Sequence, residues 1–309
     1  MKNKKHEIRM GDLQIRTFEA APEEFDPLTA SQAKLAYHGI VPRPDKEKEP
    51  ELYKRWHKVY SKKLNHIEPE FVKNENKRHF VLKEKKHLKH GVSTSTNWSG
   101  AVVFNPAGDP FRWMAGNWIV PDVSQPASLP TGEWYYSSAW IGIDGDGSPD
   151  VLQAGTDCDI LVVGGSVSKY VSAWWEWYPD YSVGINNFPV NTGDYMTCLI
   201  CVTSDTTATI YLTDITSGIH TSFEITAPAG TILQGNCAEW VVEAPTVGGS
   251  QSALADYGAT FFDESYAFTT ARVQVNAGTG DTINMVDSAG NVVSETLIEA
   301  PQLIKVSFI

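Results

Sequence analysis

The spacing of hydrophobic positions changes near residue 90. Ahead of it, apolar residues return every three or four positions. In PELYKRWHKVYSKKL, Leu52, Trp56, Val59 or Tyr60 and Leu64 predict a helix with one apolar stripe and a basic, solvated face. Asp26-Pro27 before LTASQAKLAYHG offers an N-cap with proline at the first helical position and Gly39 as a stop, and predicts another. VPRPDKEKEP between these helices and NKRHFVLKEKKHLKHG after them read as linkers, the second also as an exposed processing site. Beyond residue 90 the period becomes two. NWSGAVVF, FRWMAGNWIV, SAWIGID, SKYVSAWWEWY, DYMTCLICVTS, TATIYLTD, CAEWVVEA, TARVQV and DTINMVD are short runs rich in Val, Thr and aromatics, separated by Gly, Pro, Asn or Asp. No short internal repeat suggests a propeller or solenoid. The expected fold is all-β: a two-sheet antiparallel β-sandwich, concanavalin-like or jelly roll, over residues 91–309, preceded by a short, mostly helical segment over 1–90.

Charge deepens this division. Residues 1–90 hold 21 Lys and Arg against 14 Asp and Glu, a balance of +7, whereas 91–309 hold 4 against 23, a balance of −19. Seven of the eight histidines lie in the first piece and only His220 in the second, which holds all four cysteines. The acidic half would repel phosphate, so the basic segment is not expected to bind nucleic acid. No stretch approaches the roughly 20 apolar residues of a membrane span, and no apolar run follows the basic start, so neither a membrane partner nor a secretory leader is expected.

Strand alternation sorts the side chains onto two faces. In SAWWEWY, Ser172, Trp174, Glu176 and Tyr178 point one way, and Ala173, Trp175 and Trp177 the other. WIGID sets Trp140, Gly142 and Asp144 against Ile141 and Ile143, and CAEWVVEA sets Cys237, Glu239, Val241 and Glu243 against Ala238, Trp240 and Val242. One face of each strand is core. The other mixes aromatics with carboxylates, which cost free energy when buried unless paired or used, and so marks a candidate site.

Several familiar catalytic arrangements are missing from this half. His220 is its one histidine, no GxSxG elbow surrounds a serine, and no Asp-Thr-Gly or Asp-Ser-Gly triplet occurs. Cys198 and Cys201, three apart in an expected strand, face opposite ways, which argues against zinc; the cysteines read as core thiols, or as disulfides if the protein is exported. Asp144, Asp146 and Asp150 lack the glycine and terminal glutamate of a calcium loop and read as a turn. Neither metal nor cofactor is expected. Asn97-Trp98-Ser99 is a formal glycosylation sequon that means little without a leader.

NWSG, SAWIGIDGDGSPDVLQAGTD, SAWWEWYPD and NCAEWVVEAP, in this order and spacing, resemble the glutamic peptidase (eqolisin) family over residues 91–309. The resemblance implies an acid-active endopeptidase on a lectin-like sandwich, with a glutamine and glutamate dyad on the concave sheet and a basic pro-segment ahead of it. By motif the dyad falls on Gln153 and Glu239, with Trp98, Trp140, Asp144, Trp174, Glu176 and Tyr178 around it. Ser172 stands where an acidic residue is expected two positions before Trp174, which leaves a carboxylate network incomplete. In the implied chemistry Glu239 takes a proton from the attacking water and returns it to the leaving amine, while Gln153 donates to the oxyanion. The tryptophans and Tyr178 would line a cleft for polypeptide substrates, with Asp144 and Glu176 orienting groups or tuning Glu239. The resemblance points to export, the missing leader to retention.

Two other readings of these residues stay open. Glu176 and Glu239 suit a glycoside hydrolase if their carboxyls lie about 5–5.5 Å apart, and the tryptophan-lined face suits a binder of sugar or peptide. The charge division also suggests regulation. At neutral pH the basic segment would cover the acidic cleft as an intramolecular inhibitor, and acid, neutralising carboxylates near their reference values of about 4, would free it for self-cleavage near residues 73–95.

Overall fold

The computed structural model describes residues 6–87, 91–127 and 129–309. Ahead of residue 90 lie a hairpin, β1 (Glu7–Met10) and β2 (Leu13–Thr17), two helices, α1 (Gln32–Tyr37) and α2 (Pro50–Tyr60), and four short strands, β3 (Asn65–His66), β4 (Phe71–Asn74), β5 (Lys77–Arg78) and β6 (Lys86–His87). The remainder is almost entirely strand. It runs through β7 (Val92–Ser95), β8 (Trp98–Phe104), β9 (Phe111–Ile119), β10 (Trp134–Ile143), β11 (Val151–Val163), β12 (Ser166–Tyr178), β13 (Ser182–Ile185), β14 (Tyr195–Ser204), β15 (Thr207–Asp214) and β16 (Ile219–Thr226). It continues through β17 (Cys237–Glu243), β18 (Thr246–Val247), β19 (Ser250–Gln251), β20 (Ala259–Thr269), β21 (Gln274–Asn276), β22 (Asp281–Val286), β23 (Val292–Ala300) and β24 (Leu303–Phe308).

One antiparallel ladder runs β8-β17-β10-β11-β12-β13. A second runs β24-β20-β9-β14-β15-β16. β22 pairs with β8 and with β23, which pairs with β24, so the hydrogen bonding turns the corner from one ladder to the other. Among the described residues the result is a single network of 21 strands rather than the two separate sheets expected from the sequence, closed along that side. Alternation places Ile141, Ile143, Trp175, Trp177, Ala238, Trp240 and Val242 in one large core. Trp240 crosses it, its Nε1 donating to the Ala115 carbonyl of β9 at 2.9 Å. The opposite face of the first ladder carries a smaller cluster that includes Trp98, Trp140, Trp174 and Val241.

The N-terminal segment is not mostly helical. α1 starts later than the sequence suggests, because Ser31 caps it, Oγ accepting from the Lys34 N–H, while Asp26 closes a turn with Leu28 N and Thr29 Oγ1. Its short strands take up sheet edges of the β half: β2 and β3 lie on β16, β4 on β13 and β5 on β18. Unpaired edge groups recruit any extended neighbour, an effect that helical periodicity does not register. α2 behaves as its stripe implies, burying Trp56 and Tyr60 with Leu35 and Ile40. Among the described residues no helix is long and apolar enough to cross a membrane.

Candidate active site

Strand register builds the site. Glu239 on β17 lies opposite Gly142 on β10, Gly142 opposite Gln153 on β11, and Gln153 opposite Glu176 on β12. With strands about 4.8 Å apart, the backbones of Glu239 and Gln153 are separated by roughly 9.6 Å, and only Gly142 lies between them. A Cβ at Gly142 would come within 2.8 Å of the Trp140 ring and 3.1 Å of the Leu152 carbonyl, so the floor between these two side chains is bare backbone. Glu176 and Glu239 are three strands apart, about 14 Å between backbones, which does not suit an acid and nucleophile pair about 5.5 Å apart. Two positions along, the next row holds Val241, Trp140, Gly155 and Trp174, and four positions along the row after it holds Glu243, Ser138, Asp157 and Ser172. Asp157 thus sets a carboxylate directly across from Ser172, where the sequence left a gap.

Trp98 meets Trp140 edge-on, with ring centroids 4.9 Å apart. Trp140 Nε1 donates to Glu243 Oε2 at 3.0 Å, and Trp174 Nε1 to Ser138 Oγ at 3.0 Å. Asp144 is buried and accepts the backbone N–H groups of Gln234, Gly235 and Asn236, pinning the loop that leads into Glu239. Asp146 pairs with Lys85 and Asp150 accepts from Trp177 Nε1 at 3.2 Å, so the acidic loop is spoken for. Among the described residues no cluster of three or more His, Cys, Asp or Glu is arranged to hold a metal ion, and the four cysteines are free. Among the described residues neither oxygen of Glu239 has a hydrogen-bond partner. Burial, reinforced by the charges of Asp144 and Asp146, holds its carboxyl well above the usual range.

The cleft over this face is occupied by the chain's own residues 77–85, the stretch read from sequence as an exposed linker. Lys77 Nζ reaches Asp157 at 3.0 Å and Asp159 at 2.6 Å. The His79 ring lies flat on Trp174, 3.5 Å between centroids and 3° from parallel, with Nδ1 3.1 Å from Glu176 and Nε2 3.2 Å from Asp157. Burial works against the imidazolium, but these carboxylates outweigh it and raise His79 to about 9. Gln153 Nε2 donates to the His79 carbonyl at 2.8 Å, and the His79 N–H to Glu176 Oε2 at 2.9 Å. Phe80 packs near Tyr178, its N–H donating to Glu243 Oε1 and its carbonyl accepting from Trp98 Nε1. Leu82 N–H then donates to the Gly145 carbonyl, and Lys83 N–H to Asn97 Oδ1. All eight residues singled out in the sequence are therefore on or beside one cleft. Sequence reasoning put Glu243 on the candidate face without a role, and missed Lys77, His79, Asp157 and Asp159. Asp157 and Asp159 share the face of Gln153 at spacing two, so alternation alone could have found them, whereas nothing local pairs residue 79 with residue 176.

A family model described as the peptidase A4 family matches residues 96–308. Aspergillopepsin-2 of Aspergillus niger is 30% identical over 220 residues, covering 66% of this chain and 74% of that one. Among solved structures, scytalido-glutamic peptidase with a peptide-based transition state analog has a TM-score of 0.57 at 23% identity, over 69% of this chain and 98% of that one. Aspergilloglutamic peptidase from Aspergillus niger has a TM-score of 0.51 at 28% identity, over 57% and 99%. The chain belongs to the peptidase A4 (eqolisin) family of glutamic peptidases and is a peptide hydrolase.

Proposed function

We propose that the chain is an acid-active endopeptidase in which Glu239 and Gln153 form the catalytic dyad, made as a zymogen whose residues 1–90 inhibit a catalytic unit over 91–309. The two ladders serve as catalytic layer and backing layer of a sandwich. The observation that carries the reading is the 2.8 Å hydrogen bond from Gln153 Nε2 to the His79 carbonyl, within an extended segment crossing the cleft. An amide aimed at a peptide carbonyl is placed to receive the oxyanion that forms when water attacks. In the proposed step, Glu239 carboxylate takes a proton from water as the water oxygen bonds to the carbonyl carbon. The proton then passes to the amide nitrogen as the C–N bond breaks, giving a free acid and an amine and restoring Glu239. With the cleft covered, burial holds the Glu239 carboxyl well above the usual range and disfavours the carboxylate needed as a base. Uncovering hydrates it and returns it toward the ordinary carboxylate range, where it is ionised in mild acid. A related peptidase is known with a peptide-based transition state analog, which supports an extended peptide as the ligand class.

The test is cleavage of a denatured protein from pH 2 to 7 by the full chain, Glu239→Gln and Gln153→Ala. Either substitution should lower kcat/KM by about 10³-fold with the β fold intact by circular dichroism, since one oxyanion donor alone contributes about 10²–10³. A Glu239→Gln chain that keeps a tenth of the activity would remove Glu239 from the chemistry.

A further inference from the structure

The cleft does not supply an acid trigger. The carboxylates facing Lys77 and His79 are Asp157, Asp159, Glu176 and Glu243. Burial pushes Asp159, Glu176 and Glu243 up, Asp159 to about 7 and Glu243 to about 8, so covering favours their protonated forms. A carboxyl raised on covering favours the covered form as pH falls. Asp157 is held down by Lys77 and His79 against the opposing effect of burial, and keeps its charge in acid. The acid-sensitive element must lie elsewhere on the seam between segment and domain.

β3 runs parallel to the start of β16, registering Asn65 with Ile219 and His66 with His220. The two imidazole rings meet edge to face with centroids 4.8 Å apart. His220 Nδ1 shares a hydrogen with Thr213 Oγ1 at 2.7 Å, while His220 Nε2 and His66 Nδ1 are buried without a hydrogen-bond partner. Of the described groups around them only the Gly39 backbone favours a charge, on His220, and burial and the neighbouring His66 outweigh it. The Tyr60 ring of α2 stands against His220 at 5.8 Å, and His38 lies close enough to oppose a charge on His66. Glu23 is engaged by Lys63 at 2.6 Å, and Asp214 by Thr216 and Ser217. A pocket lined by Glu23, Lys63, His66 and Ser217 opens to His66 and gives protons a path.

We infer that His66 and His220 form an acid-labile latch that holds the N-terminal segment on the β domain. Neutral rings fit the seam. An imidazolium carries a hydrogen on both nitrogens, so protonating His66 buries an N–H with no acceptor, and protonating both rings sets two cations face to edge. The direction of the shifts agrees: burial lowers His66 to about 4, and lowers His220 well below its usual value. A histidine depressed on docking is protonated more readily when undocked, so docking weakens as pH falls from the reference value of about 6.5 through 4. The inference rests on the reading of residues 1–90 as the cover of the cleft and assigns the sensor that lifts it.

The experiment uses the full chain carrying Glu239→Gln, which prevents self-cleavage, and follows undocking by small-angle X-ray scattering from pH 7 to 3 with circular dichroism as a check on the β fold. The expected midpoint falls between 4 and 6.5, and adding His66→Gln or His220→Gln should lower it by about one pH unit. An unchanged midpoint in both variants overturns the latch and leaves the covering segment standing. A parent chain that stays docked to pH 3 overturns the latch as well, and whether the segment inhibits is then decided separately by peptide cleavage with and without it. Histidine ring NMR in the same chain guards against a variant that fails to fold. Resonances of His66 and His220 titrating near 6.5 while the segment remains docked would also overturn the inference.

Discussion

Between Glu239 and Gln153 the cleft floor is the backbone of Gly142, and in the proposed mechanism this absence of a side chain leaves room for a water and a peptide carbonyl. Gly142→Ala forces the Trp140 ring to shift, since the new Cβ would sit 2.8 Å from it. Trp140 in turn holds Glu243 and packs on Trp98, so the displacement passes to the groups that line the cleft. We expect kcat/KM to fall about 100-fold, the loss typical of an ångström-scale misplacement, with the β fold intact. Steady-state cleavage by the variant checks this, and undiminished activity would show that the bare floor is dispensable. The sequence places Gly142 on the functional face, but its role follows only from the register that centres it between two strands.

At the scale of elements, α2 is tied to the β domain through Arg55. This buried guanidinium donates to Asn117 Oδ1 and Thr197 Oγ1 at 2.7 Å each, and to the Glu264 side chain at 3.0 Å and carbonyl at 3.1 Å. Arg55→Ala leaves those acceptors facing a void, and we expect the docking of α2 to weaken by about 3–5 kcal/mol. Amide hydrogen exchange across Tyr53–Ser61 measures this, and a change near zero would mean that the apolar stripe alone holds the helix. Lysine should not rescue, because one ammonium cannot reproduce the planar fork. The same anchor has a pH sign of its own. Glu264 is lowered by Arg55 and Lys58 against the effect of burial, so its contribution is present above about pH 4.5 and is lost only as pH falls through its lowered value. The Arg55 anchor thus outlasts the histidine pair on acidification, and the segment should peel from the β3 side first.

For the whole molecule, residues 6–87 are a belt of edge strands, two helices and a cleft plug laid round a β core. Beneath α2 a cavity of about 250 Å³, lined by Trp56, Trp113, Leu199, Tyr211 and Phe268 among others, marks a seam packed less tightly than the interior. A joint of that kind parts more cheaply than a core. We expect a synthetic chain of residues 1–90, added to a chain of residues 91–309, to inhibit peptide cleavage at pH 6.5 and to lose that inhibition by about tenfold or more at pH 4, where an imidazole of ordinary value is charged. Inhibition constants measured at the two pH values check this, and equal constants would separate inhibition from the latch and from the charge division alike.

Local sequence determined a good deal here. Period-two alternation fixed which tryptophans are core, since Trp175 and Trp177 have no choice of face once Trp174 and Glu176 take the other. The motifs carried the family, and the charge division marked the segment that lies across the acidic cleft. Tertiary structure decided the rest. Helix periodicity could not see that open sheet edges would draw residues 7–17 and 65–78 into strands, because that free energy belongs to the partner edge. Nor could it see His79 between Asp157 and Glu176, or His66 against His220. Those contacts join positions about 80 to 150 apart in the chain, and burial and pairing, which set the charge state of each ring, exist only once the chain has brought them together.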